Sequence, residues 1–372
     1  MLYVMVGGPG VGEAVAVALP NSGWVVVDGC EVRGVSVPAA IVTAFRRQPS
    51  DPVRMMVLSH PHDDHAGGFA DAVDELDPER ILLTASRPPG PHLLQTARAW
   101  LRDLEASHTA DELRRRSVVA ALKAIERWES SHPGAILCGL EGTSFSWPSG
   151  GVDVTCTVRA PRQCKHLDAV FEALAAGDRA AANDASLVIE IQYGDTRVVL
   201  GGDLPWLGGP GRTPVATGWQ STMSAHPALA DHTALKVPHH GSAEALHPNL
   251  IAPGAAVPRP WFVSPFAAQR LPRLDEPGGL PRIMIANAAL DLSSPVPAWI
   301  VPNSVSPATV SISALKPRRS EQPTGDAFAD GADDVRPDPP VSATAPVCCY
   351  AFDRGGMLRG CWFGESALRV TA

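Results

Sequence analysis

The chain has 372 residues, 45% of them hydrophobic and 19% charged, enough for one large or two ordinary domains around a sizeable core. A formal net charge of -8 argues against a general nucleic-acid-coating protein, which would be basic, but not against a nuclease, whose bound cations can reverse the local field. No apolar run approaches the ~18 residues of a membrane span, and Met1 to Val6 has no basic region ahead of it, so a cytoplasmic protein without membrane contact is expected.

Leu2 to Val6 reads as a strand, followed by the turn Gly7-Gly8-Pro9-Gly10-Val11-Gly12. That turn lacks the Lys-Ser/Thr of a phosphate loop and leads into a strand-like run rather than a helix. Ala14 to Leu19 and Trp24 to Val27 predict a hairpin across Pro20 to Gly23, the second strand ending in Asp28-Gly29. Pro38 to Arg47 reads as a helix opened by its proline. Val53 to Leu58 is a buried strand that runs into His60-Pro61-His62-Asp63-Asp64-His65-Ala66-Gly67-Gly68. Phe69 to Leu76 then reads as a short helix and Glu79 to Thr84 as a strand. Strands that come to alternate with helices predict mixed α/β layers.

Over His92 to Ser131, Leu94, Ala97, Leu101 and Leu104, then Val118, Leu122 and Ile125, recur at helical spacing. Thr109 with Glu112 forms a capping box between the two runs. This predicts a two-helix insertion at about 92–131, either a cover on the core or a lid or partner-binding hairpin. Val152 to Val158 is a strand and Leu167 to Ala176 a helix. Ser186 to Tyr193 and Thr196 to Leu200 make a hairpin that ends in Gly201-Gly202-Asp203. Thr233 to Val237 is a strand ending in Pro238-His239-His240-Gly241-Ser242, and short strands follow at 261–263, 282–285 and 310–315. Pro317 to Pro346, rich in Pro, Asp, Ala and Ser, predicts a disordered linker. Residues 347–372 form a hairpin that packs back on a domain spanning 1–316. Seven cysteines without a CxxC pattern read as buried, reduced thiols.

Asp28, the His60 to His65 cluster, Asp203 and His239-His240 all follow apolar strands, and strand ends on one side of a sheet converge. Imidazoles mixed with carboxylates suit Zn²⁺ or Mn²⁺. Two such ions ~3.5–4 Å apart, bridged by a carboxylate such as Asp203, can activate a water and stabilise an oxyanion leaving group. His60 and His62 can share one ion, while Asp64 and His65 turn to the other. His92, His108, His132, His226, His232 and His247 read as ordinary surface or loop histidines, Trp206, Trp219 and Trp261 as packing, and Asp63 as solvent-facing.

The His60-x-His62-x-Asp64-His65 pattern with Gly67-Gly68, the strand-end Asp28 and Gly202-Asp203 are similar to the signature of the metallo-β-lactamase fold superfamily. Three further segments resemble the hydrolase domain of ComEC-type competence proteins, in family order over residues 28 to 242. They are Asn183-Asp184-Ala185-Ser186-Leu187-Val188, Leu200-Gly201-Gly202-Asp203-Leu204 and Leu235-Lys236-Val237-Pro238-His239-His240-Gly241-Ser242. The resemblance implies an αββα sandwich carrying the helical insertion. It implies that His60 and His62 bind one metal, that Asp64, His65 and His240 bind a second, and that Asp203 bridges, with an activated hydroxide as nucleophile and Asp64, Asp203 and His240 at the chemistry. His239 would support the site or contact phosphate, Asp28 would support it from behind, and Lys236 and Ser242 are the substrate candidates. The superfamily's usual histidine ahead of Asp203 is missing. Asn183 or Asp184 is expected to complete the first metal's shell or hold water beside it, and His166, in a predicted helix, is the weaker substitute. The membrane channel of competence proteins is absent.

The expected function is therefore metal-dependent hydrolysis of phosphodiesters in nucleic acid or a small nucleotide. The alternatives are a lactam, thioester or lactone hydrolase, and a partner-gated effector subunit of a bacterial defence-type system engaging its partner through the insertion or linker.

Overall fold

A computed structural model describes residues 1–7, 12–32, 34–45, 51–84, 116–176, 178–206, 217–241, 245, 247–251, 261–263, 298–300, 347–363 and 368–370. In chain order the strands are β1 (Leu2–Gly7), β2 (Ala14–Leu19), β3 (Gly23–Val27), β4 (Glu31–Val32), β5 (Val35–Ser36), β6 (Val53–Leu58), β7 (Ile81–Thr84), β8 (Ile136–Gly139) and β9 (Ser144–Trp147). They continue with β10 (Val154–Ala160), β11 (Val188–Tyr193), β12 (Thr196–Leu200), β13 (Ala234–Lys236), β14 (Trp261–Val263), β15 (Ala298–Ile300), β16 (Val347–Phe352), β17 (Leu358–Phe363) and β18 (Leu368–Val370). The α-helices are α1 (Val37–Phe45), α2 (Asp63–Ala66), α3 (Phe69–Leu76), α4 (Arg116–Ser131), α5 (Lys165–Ala175), α6 (Trp219–Ala225) and α7 (Pro248–Ile251).

The fold is mixed α/β, and among the described residues it is built on two eight-stranded sheets. One has the order β17-β16-β1-β2-β3-β6-β7-β8, the other β18-β15-β14-β13-β12-β11-β10-β9. Side-chain alternation assigns each face. Val4, Val6, Val15, Val17, Val25 and Val57 of the first sheet meet Val158, Ile189, Ile191, Val198, Leu200 and Phe262 of the second in one apolar core. The opposite face of the first sheet, through Met5, Trp24, Val26, Met56 and Leu58, shares a second core with Ile41, Phe45, Phe69, Val73, Leu122 and Ile125 of α1, α3 and α4. β1 and β2 are accordingly buried on both faces, which explains their unbroken apolar sequences.

Within the stretch expected to form a two-helix insertion, the described residues hold one helix, α4. Val118, Leu122 and Ile125 are buried at the predicted spacing, and Trp128 Nε1 donates to Asp77 Oδ1 at 3.2 Å, holding α4 as a cover beside α3. The first helix, the strands at 282–285 and 310–315 and the linker at 317–346 lie outside the described residues. β16 pairs antiparallel with β1, from Leu2↔Phe352 to Gly7↔Val347, and Tyr350 and Phe352 enter the core between the sheets. Among the described residues no helix is long and apolar enough to cross a membrane.

Both sheets change from antiparallel to parallel pairing in the middle. β3 pairs parallel with β6, and β12 parallel with β13. The carboxyl ends of these four strands therefore open side by side. The Leu187 N–H donates to the Ser59 carbonyl at 3.0 Å and ties the two sheets together there.

Candidate metal centre

β3 ends at Asp28, whose left-handed φ of 60° turns the chain sharply as it leaves the sheet. The buried Asp28 carboxylate accepts three hydrogen bonds. Oδ1 takes the Ser59 N–H at 2.7 Å, and Oδ2 takes the Ser59 O–H at 2.7 Å and His65 Nδ1–H at 2.8 Å. A carboxylate accepts only, so His65 Nδ1 carries a proton, and Nε2 is the nitrogen left to lose its proton and ligate. The Ser59 hydroxyl, having given its proton to Asp28, accepts from His60 Nδ1 at 3.0 Å. His60 Nε2 is then a lone pair, and it faces His62 Nδ1 at 3.1 Å. Ser186 Oγ accepts the Asp203 N–H at 2.8 Å and lies 3.3 Å from His60 Nδ1. Gly202, at φ 50°, leaves room for that hydroxyl, since a Cβ there would stand 2.5 Å from it.

Asp203 is the junction of the site. Its Oδ1 lies 3.3 Å from His65 Nε2, and its Oδ2 lies 3.8 Å from His60 Nε2 and 3.8 Å from His239 Nε2. His240 Nε2 reaches Asp64 Oδ2 at 3.3 Å. Ligand atoms of Asp64, His65, Asp203 and His240 all fall within 4.8 Å of one another, as do those of His60, His62 and Asp203. Behind them Glu13, Asp28 and His65 form a third such group. The histidine pair sits in the turn Pro238–Gly241 with left-handed φ of 47° at His239 and 51° at His240, and the His239 N–H donates to the Gly202 carbonyl at 2.9 Å.

The electrostatics follow from burial and proximity. Burial, reinforced by the neighbouring imidazoles of His65 and His62, drives the His60 pKa well below the ordinary histidine value. At His65 burial works against the charged ring, but Asp203, Asp28 and Asp64 outweigh it and hold the pKa well above normal. Burial would raise Asp203 and Asp64, yet the neighbouring imidazoles hold both below the carboxylate range. Burial also opposes a charged His240, whose pKa is nonetheless raised by Asp203, Asp64 and Glu13. So many ionisable groups, almost wholly buried, need a shared counter-ion.

Divalent cations fit these residues on atomic grounds. His65 Nε2 and Asp203 Oδ1 are both buried and have no hydrogen-bond partner, although they lie 3.3 Å apart. The facing nitrogens of His60 and His62 also present ligand geometry, and each of the two groups combines nitrogen with carboxylate oxygen.

Several expectations are relocated. Lys236 is 1% exposed, with its ammonium on Glu13 Oε1, and so faces the interior rather than a bound phosphate. Asn183 and Asp184 lie in a 3₁₀ turn, Arg179–Ala185, and neither Asp184 nor His166 belongs to any of the three ligand groups. Ser186 of that segment touches the site. Asp63 heads α2 and its Oδ1 accepts the Val118 N–H at 3.3 Å, so it anchors α4 instead of simply facing solvent. Ser242 lies outside the described residues. Glu13 is a residue that sequence reasoning missed. A carboxylate at the end of a Gly-rich turn carries no signal of burial until its distant partner is known.

No family model and no curated protein matches this sequence. Among solved structures, a β-lactamase domain protein from Burkholderia ambifaria is similar at 13% identity and a TM-score of 0.29, over 59% of this chain and 57% of that one. A stereoselective inverting sec-alkylsulfatase from Pseudomonas sp. is similar at 14% identity and a TM-score of 0.26, over 61% of this chain and 34% of that one. This chain thus spans less than two thirds of either. Superpositions this loose carry no weight on activity or substrate, which rest on the site itself.

Proposed function

We propose that the chain is a metal-dependent hydrolase of phosphodiesters, with nucleic acid as its substrate class. His60, His62 and Asp203 would hold one divalent cation, and Asp64, His65, His240 and Asp203 a second, with Zn²⁺ or Mn²⁺ suited to this donor set. The observation that carries the reading is Asp203, one carboxylate whose two oxygens turn to two separate imidazole groups. Cations held there would supply water activation near neutral pH and charge stabilisation on a leaving oxygen. The chain's own contribution is orientation. Asp28 and Ser59 hold His65 and His60 in the tautomers that present Nε2. His60, His65 and Asp203 are closed to solvent, while the side chains of Asp64 and His239, 17% and 30% exposed, form the open side toward an arriving substrate. The phosphodiester class is supported by the ComEC-like segment, whose Ser186 contacts both Asp203 and His60.

The test offers the metal-loaded protein single- and double-stranded DNA, RNA, a bis-nitrophenyl phosphate and a chromogenic β-lactam, with His62→Ala and Asp203→Ala alongside. Phosphodiester cleavage by the native chain, lost in both variants, is expected. Cleavage that survives both substitutions removes the site assignment, and lactam turnover without phosphodiester cleavage removes the substrate class. Metal uptake without any turnover would move the reading to a partner-gated subunit.

A further inference from the structure

We infer that Glu13, clamped by Lys236, is the positioning residue for His240 and so governs affinity for the second cation, an inference that rests on the two-cation reading above. Glu13 and Lys236 are 2% and 1% exposed, and the Lys236 ammonium meets Glu13 Oε1. Glu13 Oε2 faces His240 Nδ1 at 3.6 Å, while the opposite nitrogen of that ring, Nε2, reaches Asp64 Oδ2 at 3.3 Å. His65 Nδ1 is also near, 3.9 Å from Glu13 Oε1, but it already donates to Asp28 at 2.8 Å. Glu13 Oε2 is thus the carboxylate oxygen facing Nδ1 of His240, just beyond hydrogen-bond length, while Nε2 is turned to the ligand group. A carboxylate behind a ligating histidine fixes its tautomer and raises its basicity.

The backbone holds this arrangement independently of the side chains. The Glu13 N–H donates to the Asp64 carbonyl at 3.0 Å. Gly12, at φ 100°, lets the chain approach so closely that a Cβ there would stand 2.4 Å from the same carbonyl. The start of β2 is therefore clamped to the residue that shares the second group with His240. Lys236 ends β13, and the same chain runs on to His240, so one strand delivers both the histidine and the cation that neutralises the carboxylate facing it. An uncompensated carboxylate in this position would be strongly unfavourable, and the ammonium supplies the counter-charge.

A purely structural pair and a positioning pair predict opposite results. Replacing a buried ion pair with apolar residues of similar volume is often neutral or stabilising. The full chain is titrated with Zn²⁺, and separately with Mn²⁺, by calorimetry after chelation, alongside the double variant Glu13→Leu with Lys236→Met. Thermal melts of the metal-free forms accompany the titrations. The expected result is a metal-free melting temperature at or above that of the native chain, with second-cation affinity about 10–100-fold weaker. The first cation should bind within about threefold of native, because the carboxylate–histidine contact is lost at one site only. Glu13→Gln, which keeps shape and a neutral acceptor, is the second probe and should weaken the second cation by about tenfold. Native binding of both cations with unchanged affinities in the variants, or equal loss at both sites, overturns the positioning role alone. A native chain that takes up fewer than two equivalents overturns the two-cation reading and the inference with it.

Discussion

Asp28→Asn changes one atom and should disable both proposed cation sites. The native carboxylate accepts three hydrogen bonds of 2.7, 2.7 and 2.8 Å and has no solvent to relax into, being 1% exposed. Asparagine tolerates the left-handed backbone at this position, so the substitution leaves φ of 60° undisturbed. Its amide nitrogen cannot sit at the Oδ1 position, where it would oppose the Ser59 N–H. It must replace Oδ2, facing the Ser59 hydroxyl and His65 Nδ1. As a donor there it forces His65 to present its Nδ1 lone pair and to carry the proton on Nε2, the atom aimed at Asp203. It also obliges Ser59 to accept, which turns the hydroxyl proton to His60 Nδ1 and moves that ring's proton to Nε2. Loss of one hydrogen bond to a charged group costs about 1.5–3 kcal/mol of stability. Each inverted imidazole lowers cation affinity about 10–100-fold. Calorimetric metal titration gives the affinities, nitrogen NMR of the imidazoles gives the tautomers, and chemical denaturation gives the stability. Wild-type affinity at both sites, with the Nδ1 proton still on His65, would refute the reasoning.

Further outcomes follow from neighbouring groups. Ser186→Ala leaves the Asp203 N–H buried without the hydroxyl that accepts it at 2.8 Å, and should cost about 1–3 kcal/mol in denaturant titrations; an unchanged midpoint would show that another acceptor takes its place. Gly12→Ala places a Cβ against the Asp64 carbonyl in a left-handed conformation, adding about 1–2 kcal/mol of backbone strain before the clash is counted. It should weaken the second cation more than the first, and equal affinities at the two sites would contradict that. His65 and His240 have raised pKa values in the metal-free protein, so a cation must displace protons from them. Protonation favours the metal-free form, so apparent affinity falls as pH falls and rises by up to about tenfold per pH unit for each proton displaced. A flat profile from mildly acidic pH upward would exclude that competition.

The strand ends were legible because apolar runs followed directly by imidazoles and carboxylates have few other uses. Residues 60 to 65 therefore mark a candidate site, and Asp28, Asp203 and His240 lie beside it where β3, β6, β12 and β13 end. The support behind them was not legible. Glu13 and Lys236 meet only when the two sheets stack, and each alone reads as the polar end of an element. The role of Ser186 is similar. In sequence its segment stands out for Asn183 and Asp184, whose side chains can ligate, whereas Ser186 contributes a hydroxyl placed by the path of the chain into β11. Residue alternation within β1 and β2 was equally unhelpful, because burial on both faces erases the period that marks a half-exposed strand.

The pairing of β1 with β16 gives the chain a problem of timing. β1 is made before β16, is apolar on both faces and acquires its outer neighbour only when Val347–Phe352 has been synthesised. Until then the growing polypeptide carries an open, sticky sheet edge of the kind that invites pairing with other chains. Production of this protein is therefore most exposed to aggregation during translation, and shortened products that stop before β16 should be recovered as insoluble material even though they contain every proposed metal ligand.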